Sequence, residues 1–92
     1  MRKYEMMIIY DLEAATAEET NVFVKDILAK HNVEIVDEKN MGVKELAYEI
    51  NRKTRGHYFL FNMLTEQKSL PQIERLFKLS DNVMRYLILN RD

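Results

Sequence analysis

Asn51-Arg52-Lys53-Thr54-Arg55-Gly56, followed by His57-Tyr58-Phe59-Leu60-Phe61-Asn62-Met63, is the stretch whose reading decides the fold. The first six residues are polar, end in glycine and join two strand-like patterns, so they read as a hairpin loop. The strand behind them should run from about 57 to 65. Within it Phe59, Phe61 and Met63 form the more apolar set and are expected to fill the core. Tyr58, Leu60 and Asn62 then lie on the opposite face.

Upstream of the loop, Val33 and Ile35, then Leu46, Tyr48 and Ile50, keep two-residue spacing on either side of Asn40-Met41-Gly42. Gly42 is one of only two glycines. It fits a long strand with a central bulge better than a hairpin, which would leave the neighbouring charges poorly matched. Residues 2–10 read as a strand ending at Asp11, with Tyr4, Met6 and Ile8 on one face and Lys3, Glu5, Met7 and Ile9 on the other. Thr16-Ala17-Glu18-Glu19 has capping-box spacing and opens a helix over about 17–31, whose stripe of Phe23, Val24, Ile27 and Leu28 should be buried. Ser69-Leu70-Pro71-Gln72 opens a second helix, with Ser69 as N-cap, Gln72 completing a capping box and an apolar stripe of Leu70, Ile73, Leu76 and Phe77. Ser80-Asp81-Asn82 ends it, and residues 83–89 are apolar enough for a last strand.

The order β-α-β-β-α-β predicts an α+β, ferredoxin-like sandwich: a four-stranded antiparallel sheet with two helices on one face and the other face open. In the usual strand order, 4-1-3-2, the first and last strands pair antiparallel. Arg2, Lys3 and Arg91 should therefore converge at one end of the sheet. Arg85 should fall near the other end, on the side of Arg52, Lys53 and Arg55.

Composition sets the limits. The 92 residues leave room for one domain, 1–92, and 47% hydrophobic with 32% charged residues is the balance of a folded globular chain. With no cysteine, disulfides, thiolate nucleophiles and cysteine-built zinc sites are excluded. No apolar run approaches the roughly 20 residues of a membrane helix. The charged start lacks a signal peptide's cleavage pattern, so a cytoplasmic protein is expected. A net charge of −1 argues against coating nucleic acid by bulk electrostatics, so RNA affinity would depend on local placement of cations.

Catalysis has little support. His31 and His57 have no serine or carboxylate at an informative spacing, and His31 reads as a partner for the helix dipole. Glu18-Glu19 and Asp37-Glu38 read as solvated surface, and two glycines cannot build a phosphate-cradling loop. No metal, cofactor or small-molecule substrate is expected. Residues 55–61 partly match the third strand of an RNA-recognition motif, but Tyr58 stands where that motif keeps a small residue, and Asn62 where it ends in an aromatic. Tyr58, Leu60 and Asn62 with Met7 and Ile9 instead suggest an exposed binding patch bordered by cations.

Three separated segments carry a resemblance: Met1-Arg2-Lys3-Tyr4-Glu5; Leu46-Ala47-Tyr48-Glu49-Ile50 with the basic loop and Gly56; and Ser80-Asp81-Asn82-Val83-Met84-Arg85-Tyr86. Along nearly its full length the chain resembles the family of the sixth small-subunit ribosomal protein of bacteria. The resemblance implies a ferredoxin-like fold that binds the central domain of 16S ribosomal RNA together with the eighteenth small-subunit ribosomal protein. By position it implies RNA contact at Arg2, Lys3 and Arg85, and partner contact at Ala47, Tyr48, Tyr58 and Leu60. The placement of cations at the sheet ends adds Arg52, Lys53, Arg55 and Arg91 to the candidate RNA contacts. Met41 and Lys44-Glu45 depart from the tryptophan and basic pair that often flank the bulge glycine in the family. The sequence stops at Asp92, without the longer tail some members carry, so the resemblance does not extend to tail-mediated contacts. Two alternatives from other classes are an acylphosphatase-like enzyme, which needs a glycine-bearing loop that residues 11–15 do not supply, and a generic single-stranded RNA binder using aromatic stacking.

Overall fold

A computed structural model describes residues 1–13 and 15–92. Its elements are β1 (Arg2–Tyr10), α1 (Ala17–Lys30), β2 (Glu34–Ile50), β3 (Lys53–Thr65), α2 (Leu70–Leu79) and β4 (Val83–Asn90), with a 3-10 turn at Gln67–Ser69 leading into α2. The strands lie in the order β2-β3-β1-β4 and every pairing is antiparallel. This is the ferredoxin-like α+β sheet expected from the element order. Its strand alternation decides what is buried. Tyr4, Met6 and Ile8 of β1 and Phe59, Phe61 and Met63 of β3 join Val24, Ile27 and Leu28 of α1 and Ile73 and Phe77 of α2 in one core. The Phe59 ring lies 5.0 Å from Tyr10 and 6.3 Å from Phe61, and Phe77 meets Tyr86 edge-on at 5.6 Å.

β2 is one long strand with a bulge at Met41, as its glycine suggests, and Gly42 takes a φ of 79°. Asn40 holds that bulge: its Oδ1 accepts the Gly42 N–H at 2.9 Å and the His57 Nε2–H at 2.6 Å. A second bulge, at Val36, was not expected. Because each bulge inserts one residue, each reverses which side chains face the helices. The shift at Val36 turns Glu38 toward α1, where its carboxylate accepts hydrogen bonds from Lys25 and, at 3.0 Å, from Asn21 Nδ2. Asn21 Oδ1 in turn accepts the Tyr10 hydroxyl at 2.8 Å. The expectation of a solvated Asp37-Glu38 pair is thus corrected for Glu38. The Lys25 ammonium, then Asn21, holds the Glu38 carboxyl below its usual range. Burial pushes the Tyr10 hydroxyl well above its own.

Other sequence expectations shift at element ends. The hairpin loop is two residues, not six: Asn51 and Arg52 sit at φ 49° and 65°, the mirror-image turn that suits the twist of paired strands, and β3 starts at Lys53. Gly56 therefore lies inside a strand. A Cβ there would overlap the Ile9 Cγ2 methyl and stand 3.3 Å from the Tyr10 carbonyl oxygen, so this glycine serves close packing. Thr16 caps α1 by accepting the Glu19 N–H at 3.1 Å, while the Glu19 carboxylate accepts a hydrogen bond from the Thr16 hydroxyl at 3.0 Å in place of the reciprocal backbone bond. Ser69 makes no side-chain cap, because the chain enters α2 from the 3-10 turn with Ser69 already helical. His31 does close α1, its Nδ1 donating to the Ile27 carbonyl at 2.8 Å. Phe23, expected in the buried stripe, is 44% exposed, and Thr20 takes the inward position.

Candidate RNA and protein interface

The same alternation that buries Phe59 and Phe61 turns Tyr58, Leu60 and Asn62 to the face away from the helices. There Met7 sits opposite Leu60 and Ile9 opposite Tyr58, which assembles the patch expected from sequence. β4 extends it. Arg85 lies opposite Ile9, Leu87 opposite Met7 and Leu89 opposite Glu5, and Leu87 and Leu89 are 50% and 38% exposed. Sequence reasoning missed these two leucines. The signal was present, since Tyr86 and Ile88 pack on the core and a two-residue period must send 87 and 89 outward.

One residue of this open face is nevertheless covered: Ile9 is only 5% exposed. Beyond Glu45 the β2–β3 register breaks, and residues 46–49 leave the ladder before Ile50 pairs with Lys53. Leu46, Ala47, Tyr48 and Ile50 then line one groove of about 240 Å³ with Met7, Ile9, Tyr58 and Arg85. β2 and β4 are opposite edges of the sheet, so the hairpin end arches over the strands between them. Tyr58 is steadied in the groove by the Lys44 ammonium, 5.9 Å from its ring centroid, and by donating its hydroxyl to the Glu45 carbonyl at 3.4 Å. The apolar surface continues into a second hollow lined by Met7, Ile9, Arg85, Tyr86 and Leu87.

The cations fall into two groups by what they touch. At one end of the sheet Arg2 and Lys3 lie opposite Thr65 and Leu64, and the Arg91 N–H donates to the Lys3 carbonyl at 2.8 Å. This brings Arg2, Lys3 and Arg91 together as expected. At the other end are Arg52, Lys53, Arg55 and Arg85, with Arg52, Lys53 and Arg55 around a cavity that also contains Asp11 and Glu13. Arg85 shares that end of the sheet but opens onto the groove instead. Among the described residues Arg2, Lys3, Arg52, Arg55 and Arg85 form no ion pair. Arg91 and Lys53 differ from the free cations expected of them. The Arg91 guanidinium is 2.8 Å from Glu5, and the Lys53 ammonium binds Asp11 and lies 3.5 Å from Glu13. The Asp11 carboxylate holds the Lys53 ammonium above its ordinary pKa.

The described residues contain no cluster of three or more His, Asp or Glu side chains placed to hold a metal ion. No described helix is long and apolar enough to cross a membrane.

These features define a ferredoxin-like protein whose uncovered sheet face carries an apolar groove, with cations at both ends of the sheet. The model of the ribosomal protein S6 family matches residues 3–90, and the chain belongs to that family. It is 39% identical over 90 residues to small ribosomal subunit protein bS6 of Halalkalibacterium halodurans, covering 96% of this chain and 95% of that one. The match to bS6 of Helicobacter acinonychis is 33% over 96 residues and covers 100% of this chain but 66% of the longer relative. The crystal structure of 30S ribosomal protein S6 from Thermotoga maritima aligns with a TM-score of 0.86 at 25% identity, covering 98% of this chain and 87% of that one. The resemblance carried by the three sequence segments is therefore borne out.

Proposed function

We propose that this chain is a structural constituent of the bacterial small ribosomal subunit, working in the cytoplasm as a single domain without cofactor or catalysis. In this reading it binds the central domain of 16S ribosomal RNA jointly with the eighteenth small-subunit ribosomal protein. The observation that carries the reading is the groove on the uncovered sheet face, with arginines that form no ion pair among the described residues within reach of it and at the sheet ends. Ala47, Tyr48, Tyr58 and Leu60, joined by Leu46, Ile50 and Leu87, supply the protein-facing surface. Apolar area of this kind gives affinity, and the surrounding charges give register. Arg2, Lys3, Arg52, Arg55 and Arg85 supply phosphate contacts, with Arg91 contributing where Glu5 releases it. Stacking in the manner of an RNA-recognition motif's third strand is disfavoured because Phe59 and Phe61, 5% and 0% exposed, cannot reach a base.

Binding to a central-domain rRNA fragment, measured with the partner protein present across a salt series, tests this. Each phosphate contact removed should lower the slope of log affinity against log salt by roughly 0.7–0.9. Arg2→Ala combined with Arg85→Ala should therefore weaken binding and flatten the slope by between one and two. An unchanged affinity and slope would reject those two residues as RNA contacts.

A further inference from the structure

We infer that Lys53 is a positioning residue, whose ion pair with Asp11 holds the β2–β3 hairpin at the angle that forms the groove. The inference rests on the proposed partner-binding role of that groove and assigns Lys53 a task other than phosphate contact.

The hairpin needs a tether. β1 pairs with β3 only as far as Tyr10 opposite His57, so residues 53–56 of β3 extend past the end of the central strand. Their ladder partners on β2 stop at Glu45 opposite Arg55, apart from the single pair Ile50 and Lys53 at the turn. A two-stranded ribbon with so few pairings is marginal without support from a third element. Lys53 provides that support. It follows the turn residues Asn51 and Arg52 directly and reaches Asp11, just beyond the end of β1.

Asp11 is a fixed anchor. It is 7% exposed, its N–H donates to the Asn82 carbonyl at 2.9 Å, and its Oδ1 accepts the Glu13 N–H at 2.8 Å. Asp11 thus joins the end of β1 to the turn before β4 through its backbone N–H, and to the loop before α1 through its carboxylate. A hairpin tied to that point cannot swing relative to the sheet. Because Lys53 pairs with Ile50, its position sets where Ile50 meets Ile9 and Tyr58 in the groove wall. Lys53 is also the one cation of its cluster that must shed an acid partner to reach a phosphate. Arg52 and Arg55, on either side of it, carry no such bond among the described residues.

The test uses the full chain with the eighteenth small-subunit protein and a central-domain rRNA fragment, comparing Lys53→Met, Asp11→Asn, the double variant and Lys53→Arg. Lys53→Met should weaken partner affinity roughly tenfold, with Asp11→Asn alike and the double variant no worse, as expected when two residues act as one unit. Amide hydrogens of residues 46–50 should exchange faster, and the RNA salt slope should stay unchanged. Lys53→Arg, which keeps the ion pair, should restore affinity and exchange protection. Thermal unfolding of each variant shows whether the fold survives; were Lys53→Met to unfold, Asp11→Asn and Lys53→Arg carry the comparison. A slope lowered by about one phosphate contact, or losses that add in the double variant, would overturn the inference. Leu60→Asp separates the two levels. If it weakens partner binding while Lys53→Met does not, only the positioning role fails; if neither does, the proposed partner-binding role of the open sheet face fails with it.

Discussion

On one face of β3, Phe59, Phe61 and Met63 are 5%, 0% and 1% exposed; on the other, Tyr58, Leu60 and Asn62 are only partly covered. Met7, Ile9, Tyr58 and Leu60 would suit a core as well as their neighbours do. What separates the faces is the cover. Two helices lie over the first face, while the end of one hairpin lies over the second and hides Ile9. Burial on the first face stabilises the fold. Incomplete burial on the second leaves apolar surface whose stabilisation becomes available only when a partner covers it.

Four measurements would break or sharpen that contrast. The largest effect is expected at the covered face, where Phe61→Ala should cost about 3–5 kcal/mol in urea or thermal unfolding. A loss near that of a surface substitution would mean that the faces are not energetically distinct. Gly56→Ala comes next, at about 1–3 kcal/mol, because the added methyl must displace Ile9 or the backbone at Tyr10. It should also weaken partner binding, since Ile9 floors the groove. Leu60→Ala should cost under about 1 kcal/mol of stability yet lower partner affinity roughly tenfold, reversing the order found for Phe61. The smallest effect concerns pH. The Glu38 carboxyl is held below its ordinary value in the folded chain, so its stabilisation is complete above that ordinary value and fades as pH falls through the lowered one. Glu38→Gln should flatten the acid limb of the stability curve, and an unchanged limb would show that the Lys25–Glu38 tie contributes nothing.

The strands and their faces were legible because a two-residue period is directly visible in residues such as Phe59, Phe61 and Met63. The helix stripes were less so. Phe23 and Thr20 both fit a helical period with Val24 and Ile27, and hydrophobicity favours the wrong one. Which of the two faces inward depends on how α1 seats against the rest of the fold, which no local pattern reports. The groove was half legible. Tyr58 and Leu60 follow from alternation, and Leu87 and Leu89 were within reach of the same rule. That residues 46–50 would arch across toward Arg85 depends on a register break and a tether to Asp11, far away in sequence. Ion pairing of Lys53 and Arg91 was invisible for the same reason. A polar run reads identically whether its charges are free or committed to Asp11, Glu13 or Glu5.

The bulges of β2 have one more consequence, for how copies of the chain behave toward each other. An edge strand of 17 residues presents a long row of backbone N–H and C=O groups that a neighbouring molecule could extend into a continuous sheet. The bulges at Val36 and Met41 cut the regular stretch into runs 37–40 and 42–45. Each is only about 13 Å long at roughly 3.3 Å per residue. Glu34, Asp37, Lys39, Lys44, Glu45 and Glu49 place charges along the same edge. Short, bent and charged, β2 makes a poor template for polymerisation.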